Sequence, residues 1–133
     1  MADKGGDRIM ELKNRSQYLD KLISVQDMEV IKVVTGIRRC GKSSLLKLMM
    51  AHLRDQGVME EQILSMNFES MQFADMDSKS LYQYVMERAP KGKRLYLFLD
   101  EVQKVRDWQD AVNSFRVDLD CDIYVTEIGR AHV

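Results

Sequence analysis

Two short stretches carry the residue types needed to handle a chain of phosphates. Lys42 and Ser43 close the run Gly36-Ile37-Arg38-Arg39-Cys40-Gly41-Lys42-Ser43, and Asp100 and Glu101 close "RLYLFLDE". The first run fits the pattern GxxxxGK[ST] without a mismatch. Its glycines let the backbone curl so that successive N–H groups converge on phosphate oxygens. A helix following the turn aims its N-terminus, with free N–H groups and partial positive charge, at the same anion. Lys42 adds a point charge for the β- and γ-phosphates, and the Ser43 hydroxyl is a ligand suited to Mg²⁺. The expected nucleotide-binding set is therefore Gly36, Ile37, Arg38, Arg39, Cys40, Gly41, Lys42, Ser43 and Ser44. Arg38 and Arg39 read first as solvated loop residues, with contact to a phosphate or a neighbouring subunit as the alternative. Cys40 reads as a small side chain that the turn tolerates, beside a helix N-terminus whose field would acidify a thiol.

The acidic pair ends an apolar strand, the edge at which open α/β sheets bind ligands. Asp100 is placed there to hold Mg²⁺ through water. Glu101, immediately after it, is suited to take a proton from an attacking water as general base. Alone, two acids at a strand end are ordinary solvated residues. Joined to the phosphate turn they become a metal ligand and a base, with Glu101 and Lys42 as the expected catalytic residues. The pairing favours hydrolysis over phosphoryl transfer to a small metabolite, which needs no water-activating glutamate.

The elements that must position these groups alternate along the chain. "SQYLDKLISV" places Tyr18, Leu19, Leu22 and Ile23 on one helical face. "EVIKVVT", Glu29 to Thr35, is short, β-branched and apolar, and predicts a buried strand. "SSLLKLMMAHLRDQG" predicts a helix with Leu46, Met49, Met50 and Leu53 inward and Gly57 as its stop. "QILSMNFE" is a second strand ending near Asn67, and "DSKSLYQYVMERAP" a helix opened by Asp77 or Ser78 and closed ahead of Pro90. "RLYLFLDE" is the third strand. Asp107 then caps a helix in which Trp108, Val112 and Phe115 share a face, and "CDIYVT" is the fourth strand. Strands alternating with helices of this length predict parallel βαβ units with helices on both faces.

Composition narrows the class further. With 20 basic and 21 acidic residues closely interspersed, bulk charge gives no case for a nucleic-acid or membrane partner. No apolar run approaches the ~20 residues that cross a bilayer, and the polar start lacks the apolar middle of a secretory signal. Cys40 and Cys121 stand far apart without a zinc-binding spacing, which fits a reducing cytoplasm. Ten methionines point to adaptable core packing.

The stretches "VTGIRRCGKSSLL", "NFE", "LYLFLDEVQKVRDWQDAVNSFRV" and "DIYVT" resemble the AAA-type P-loop ATPases with a separate catalytic glutamate. Within that group the chain is similar to bacterial and archaeal ATP-binding proteins that carry an uncharacterised C-terminal domain, from about Arg15 to Thr126. The resemblance implies a three-layer α/β/α P-loop NTPase fold with a mainly parallel sheet, the fourth strand lying between the first and third. It implies ATP and Mg²⁺ as cofactors, and Mg²⁺-dependent ATP hydrolysis as the activity. It also suggests that Asn67 restrains Glu101 until a partner engages; the other reading of Asn67 is a strand-end amide that satisfies the backbone. Gln103 resembles a polar residue often found after such acidic pairs, and its role is left open. Trp108 reads as core rather than as a ligand platform.

In look-alikes the fourth strand runs into "TGSNA", whose polar residue reaches the γ-phosphate and the water. Here it reads "EIGRAHV". Ile128 to Val133 are what ATCGGAAGAGCACACGTC, part of a common sequencing adapter, encodes. The expected organisation is a partial P-loop ATPase domain over 1–126, truncated after the fourth strand, and a non-native tail over 127–133. Two further readings stand beside the ATPase: a non-catalytic, nucleotide-gated interaction module, and a nucleic-acid-remodelling ATPase. A GTPase is disfavoured because no NKxD guanine-selecting motif is present. Expected partners are the nucleotide, a second copy of the chain, and a protein or nucleic acid of unspecified kind.

Overall fold

The computed structural model describes residues 17–35 and 41–128. Four strands form one sheet in the order β1-β4-β3-β2, every neighbouring pair parallel. They are β1 (Lys32–Val34), β2 (Ile63–Asn67), β3 (Leu95–Asp100) and β4 (Cys121–Thr126). The fourth strand does lie between the first and third. Helix α1 covers 17–24, and α2 (Gly41–Asp55), α3 (Ser78–Arg88) and α4 (Trp108–Asp118) connect the strands.

Strand alternation sorts the central side chains into two cores. Leu95, Leu97 and Leu99 of β3, with Ile123 and Val125 of β4, pack against Leu81 and Val85 of α3 and Val112 and Phe115 of α4. The opposite parity, Tyr96, Phe98 and Tyr124, packs against Leu22 of α1 and Leu45, Leu46, Met49 and Leu53 of α2. Phe98 and Tyr124 are register partners, and their rings stack with centroids 4.8 Å apart. Burial on both faces is why the five residues of β3 that precede Asp100 form an unbroken apolar run. Parity then has a consequence at the strand ends. Asp100 falls on the face of Tyr96 and Phe98, and Thr126 on that of Tyr124, so both look toward α2.

Local signals behave as their chemistry requires. Asp77 caps α3, its carboxylate accepting from Ser80 N–H. Gly57, at φ +95°, ends α2 with the Val58 N–H on the Leu53 carbonyl and the Gly57 N–H on the Arg54 carbonyl. Trp108 packs against the α3/α4 core. Two local expectations are corrected. Asp107 stands at the start of α4 in a left-handed conformation, and its side chain makes no capping hydrogen bond. The first strand holds three residues rather than seven and alternates in exposure, with Val33 exposed between buried Lys32 and Val34. Among the described residues β1 pairs with β4 alone and so stands at the edge of the sheet. Tyr18 of α1 and Val30 are also exposed. Among the described residues, no helix is long and apolar enough to cross a membrane.

Candidate functional site

The carboxyl ends of β3 and β4 meet the first turn of α2. Ser43 Oγ donates to Asp100 Oδ2 at 2.5 Å, and Thr126 Oγ1 donates to Asp100 Oδ1 at 2.5 Å. Thr126 Oγ1 in turn accepts the Glu101 N–H at 2.8 Å. A single buried hydroxyl thus fixes both members of the acidic pair: the side chain of one and the main chain of the other. Residue 101 leaves the strand in a left-handed conformation, φ 59° and ψ 49°.

Lys42, one residue before Ser43, is buried. Its ammonium donates to the Glu127 carbonyl at 2.9 Å and stands 3.7 Å from Glu101 Oε2. The other carboxylate oxygen of Glu101 accepts from Gln103 Nε2 at 2.8 Å, and Gln103 Oε1 accepts the Ile128 N–H at 3.3 Å. Lys42, Ser43, Asp100 and Glu101, separated by more than fifty residues in the chain, therefore share one rim of the sheet. Asn67 pairs in register with Asp100 but turns its amide oxygen to the Glu69 N–H, and it makes no hydrogen bond to Glu101. Of its two readings, local backbone satisfaction is the one the geometry displays. Expectations for Gly36, Ile37, Arg38, Arg39 and Cys40 lie outside the described residues. Gly41 and Ser44 lie in the first turn of α2. Sequence reasoning gave no role to Thr126 and none to the main chain at 127 and 128. The signal for Thr126 was available: a hydroxyl ending the strand that neighbours the acidic one.

The donor set at this rim suits Mg²⁺. A serine hydroxyl and a carboxylate are hard oxygen ligands, and they already stand side by side. Among the described residues no group of three or more His, Cys, Asp or Glu side chains is arranged to hold a metal ion. The pair is thus a two-ligand arrangement of the kind Mg²⁺ takes when water and phosphate supply the remainder. Ser43 and Asp100 would hold the ion.

A second polar cluster lies at the other end of β4, about 13 Å away at ~3.3 Å per residue. The buried Asp122 carboxylate takes donors from Lys32, from Tyr124 Oη at 2.6 Å and from the Asp27 N–H at 2.9 Å. Tyr96 Oη donates to Asp27 at 2.8 Å, and Arg94 pairs with Asp27 and Asp120. Burial raises the Tyr96 hydroxyl to about 12, helped by the Asp27 carboxylate. Burial also acts to raise Asp27, but hydrogen bonds from Tyr96 and Gln26 and the charge of Arg94 outweigh it and hold the carboxyl below its ordinary value. This cluster staples the segment before β1 to the sheet and takes no part in the rim described above.

A parallel sheet with helices on both faces, and a lysine-serine helix start meeting an acidic strand end, define a P-loop NTPase-like α/β domain. Within that class, the family described as "AAA domain" matches residues 29–128. The chain belongs to that family, whose members are AAA-type, ATPase-like domains. An uncharacterised protein of Haemophilus influenzae is 39% identical over 115 residues, which cover 85% of this chain and 29% of the relative. The chain thus spans under a third of that relative's length. No solved structure matches it.

Proposed function

We propose that the chain binds ATP with Mg²⁺ and that its rim carries out hydrolysis in the protein of which this domain is part. The observation that carries this reading is the convergence of the Lys42 ammonium, the Ser43–Asp100 oxygen pair and the Glu101 carboxylate at one sheet edge. The GxxxxGK[ST] sequence ending at Lys42 and Ser43 is the pattern that binds phosphates, and Lys42 neutralises the β- and γ-phosphate oxygens. Mg²⁺, held by Ser43 and Asp100, would supply further positive charge to the triphosphate. Glu101 takes the proton of the attacking water. Phosphate oxygens compete with the Glu127 carbonyl for Lys42, since an anion is the stronger acceptor for an ammonium.

Lys42→Ala removes that charge and is expected to abolish nucleotide binding in a calorimetric titration. Glu101→Gln keeps size and polarity but cannot take a proton. It should retain binding and lose turnover by about 10²- to 10⁴-fold. Unchanged phosphate release by the Glu101 variant would overturn the assignment. Tight binding by the full-length protein with no phosphate release would favour a nucleotide-gated interaction module instead, and DNA-stimulated turnover would favour nucleic-acid remodelling.

A further inference from the structure

Gln103 was singled out in the sequence, the proposed chemistry does not yet use it, and its contacts are specific. Its amide nitrogen donates to Glu101 Oε1 at 2.8 Å, and its amide oxygen accepts the Ile128 N–H at 3.3 Å. The orientation of that amide is forced. A carboxylate can only accept and a peptide N–H can only donate, so the NH₂ must face Glu101 and the oxygen must face residue 128. The peptide that gives its N–H to Gln103 is the same peptide whose carbonyl, on Glu127, takes the Lys42 ammonium. Lys42 then returns to Glu101 at 3.7 Å. Four groups close a ring: ammonium, peptide, carboxamide, carboxylate. The two peptide atoms are main-chain, so the ring does not depend on which side chains stand at 127 and 128.

We infer that Gln103 is the positioning residue for Glu101, with the 127–128 peptide as its anchor. This rests on the reading of Glu101 as general base. A glutamate carboxylate, on three rotatable bonds, serves as a base only if one oxygen is aimed at the water. Gln103 occupies Oε1, which leaves Oε2, the oxygen on the Lys42 side, to face the phosphates. When phosphate draws Lys42 away from Glu127, Glu101 loses its cationic neighbour but keeps the amide. The hydrogen bond from Gln103 therefore holds the base in place during turnover. Its short tether is supplied by the turn that follows residue 101, in which Gln103 lies two positions on.

Two variants separate aiming from scaffolding. Gln103→Glu keeps the length and an acceptor for the Ile128 N–H but cannot donate to Glu101; Gln103→Ala removes both contacts. In the full-length protein with Mg²⁺ and ATP, both should keep the nucleotide Kd within about twofold and KM nearly unchanged. Their kcat should fall about ten- to a hundredfold, the scale set by a misaimed catalytic group. Wild-type kcat in Gln103→Glu would overturn the inference, as would a loss confined to Gln103→Ala, since the residue would then act only by holding residue 128. Glu101→Gln run alongside keeps the two readings distinct: if it retains turnover, the general base itself falls. A second readout needs no turnover. In ¹⁵N NMR spectra the Gln103 side-chain NH₂ should be shifted and slowly exchanging, and should move to the position of an exposed glutamine amide in Glu101→Ala. Unmoved Gln103 signals in that variant would overturn the inference, even if the chain releases no phosphate.

Discussion

Thr126 offers the sharpest test of how the rim is built. Its hydroxyl is fully buried, donates to Asp100 Oδ1 at 2.5 Å and accepts the Glu101 N–H at 2.8 Å. Thr126→Val replaces the hydroxyl by a methyl of nearly equal volume, so it opens no cavity. It leaves one carboxylate oxygen and one main-chain N–H without their partner. Each orphaned buried group costs about 1–3 kcal/mol. The added methyl returns roughly 0.8 kcal/mol of apolar burial. The expected net loss is about 1–5 kcal/mol. Thr126→Ser keeps both hydrogen bonds and deletes one buried methyl, which should cost about 1 kcal/mol. Stability should therefore run wild type, then Ser, then Val, read from urea midpoints at constant m-value. The same order should hold for Mg²⁺-dependent nucleotide affinity, because only the valine releases Asp100. A valine variant as stable as the serine variant would refute the bridging role and, with it, the reasoning that parity and strand order set the site.

Two further expectations concern the opposite end of the sheet. Asp122→Ala strands the Lys32 ammonium, the Tyr124 hydroxyl and the Asp27 N–H together, and should destabilise by about 3–5 kcal/mol; a loss under about 1 kcal/mol in urea titration would show that the cluster is not a staple. Asp27 has its folded-state pKa held below the ordinary 3.8, so the stability it contributes is full above that value and drains away as pH falls through the lower folded value. Thermal midpoints measured from pH 5 down to pH 2 should fall less steeply in Asp27→Asn, a substitution that suits the left-handed backbone there; parallel curves would count against it.

Much of the architecture was legible because it is local. "LYLFLD" reads as a doubly buried strand from its unbroken apolar run, and α2 from the spacing of Leu46, Met49, Met50 and Leu53. The extent of β1 was not. "EVIKVVT" is apolar in composition, but burial depends on what lies alongside, and its lysine pointed the wrong way, since Lys32 is buried and Val33 exposed. At the site, Lys42, Ser43, Asp100 and Glu101 were legible as types in a spacing. Thr126 offered only a faint signal, a hydroxyl ending the strand expected beside the acidic one, because its bridging role comes from the register of β4 on β3, which no local pattern encodes. Gln103 was visible as a residue but acquired a partner only once residue 101 turned the chain. Asn67 misled for the converse reason: register brings it opposite Asp100, while its side chain is taken up by its own turn.

That turn at Glu101 sets selection for durability against selection for chemistry. In a continuing strand, adjacent residues project to opposite faces, and an aspartate and a glutamate in sequence would be divided by the sheet. The left-handed step undoes this division, at a conformational penalty of about 1–2 kcal/mol that glycine escapes. Laboratory evolution for heat resistance alone should thus drift toward glycine at residue 101, trading the carboxylate for a relaxed backbone.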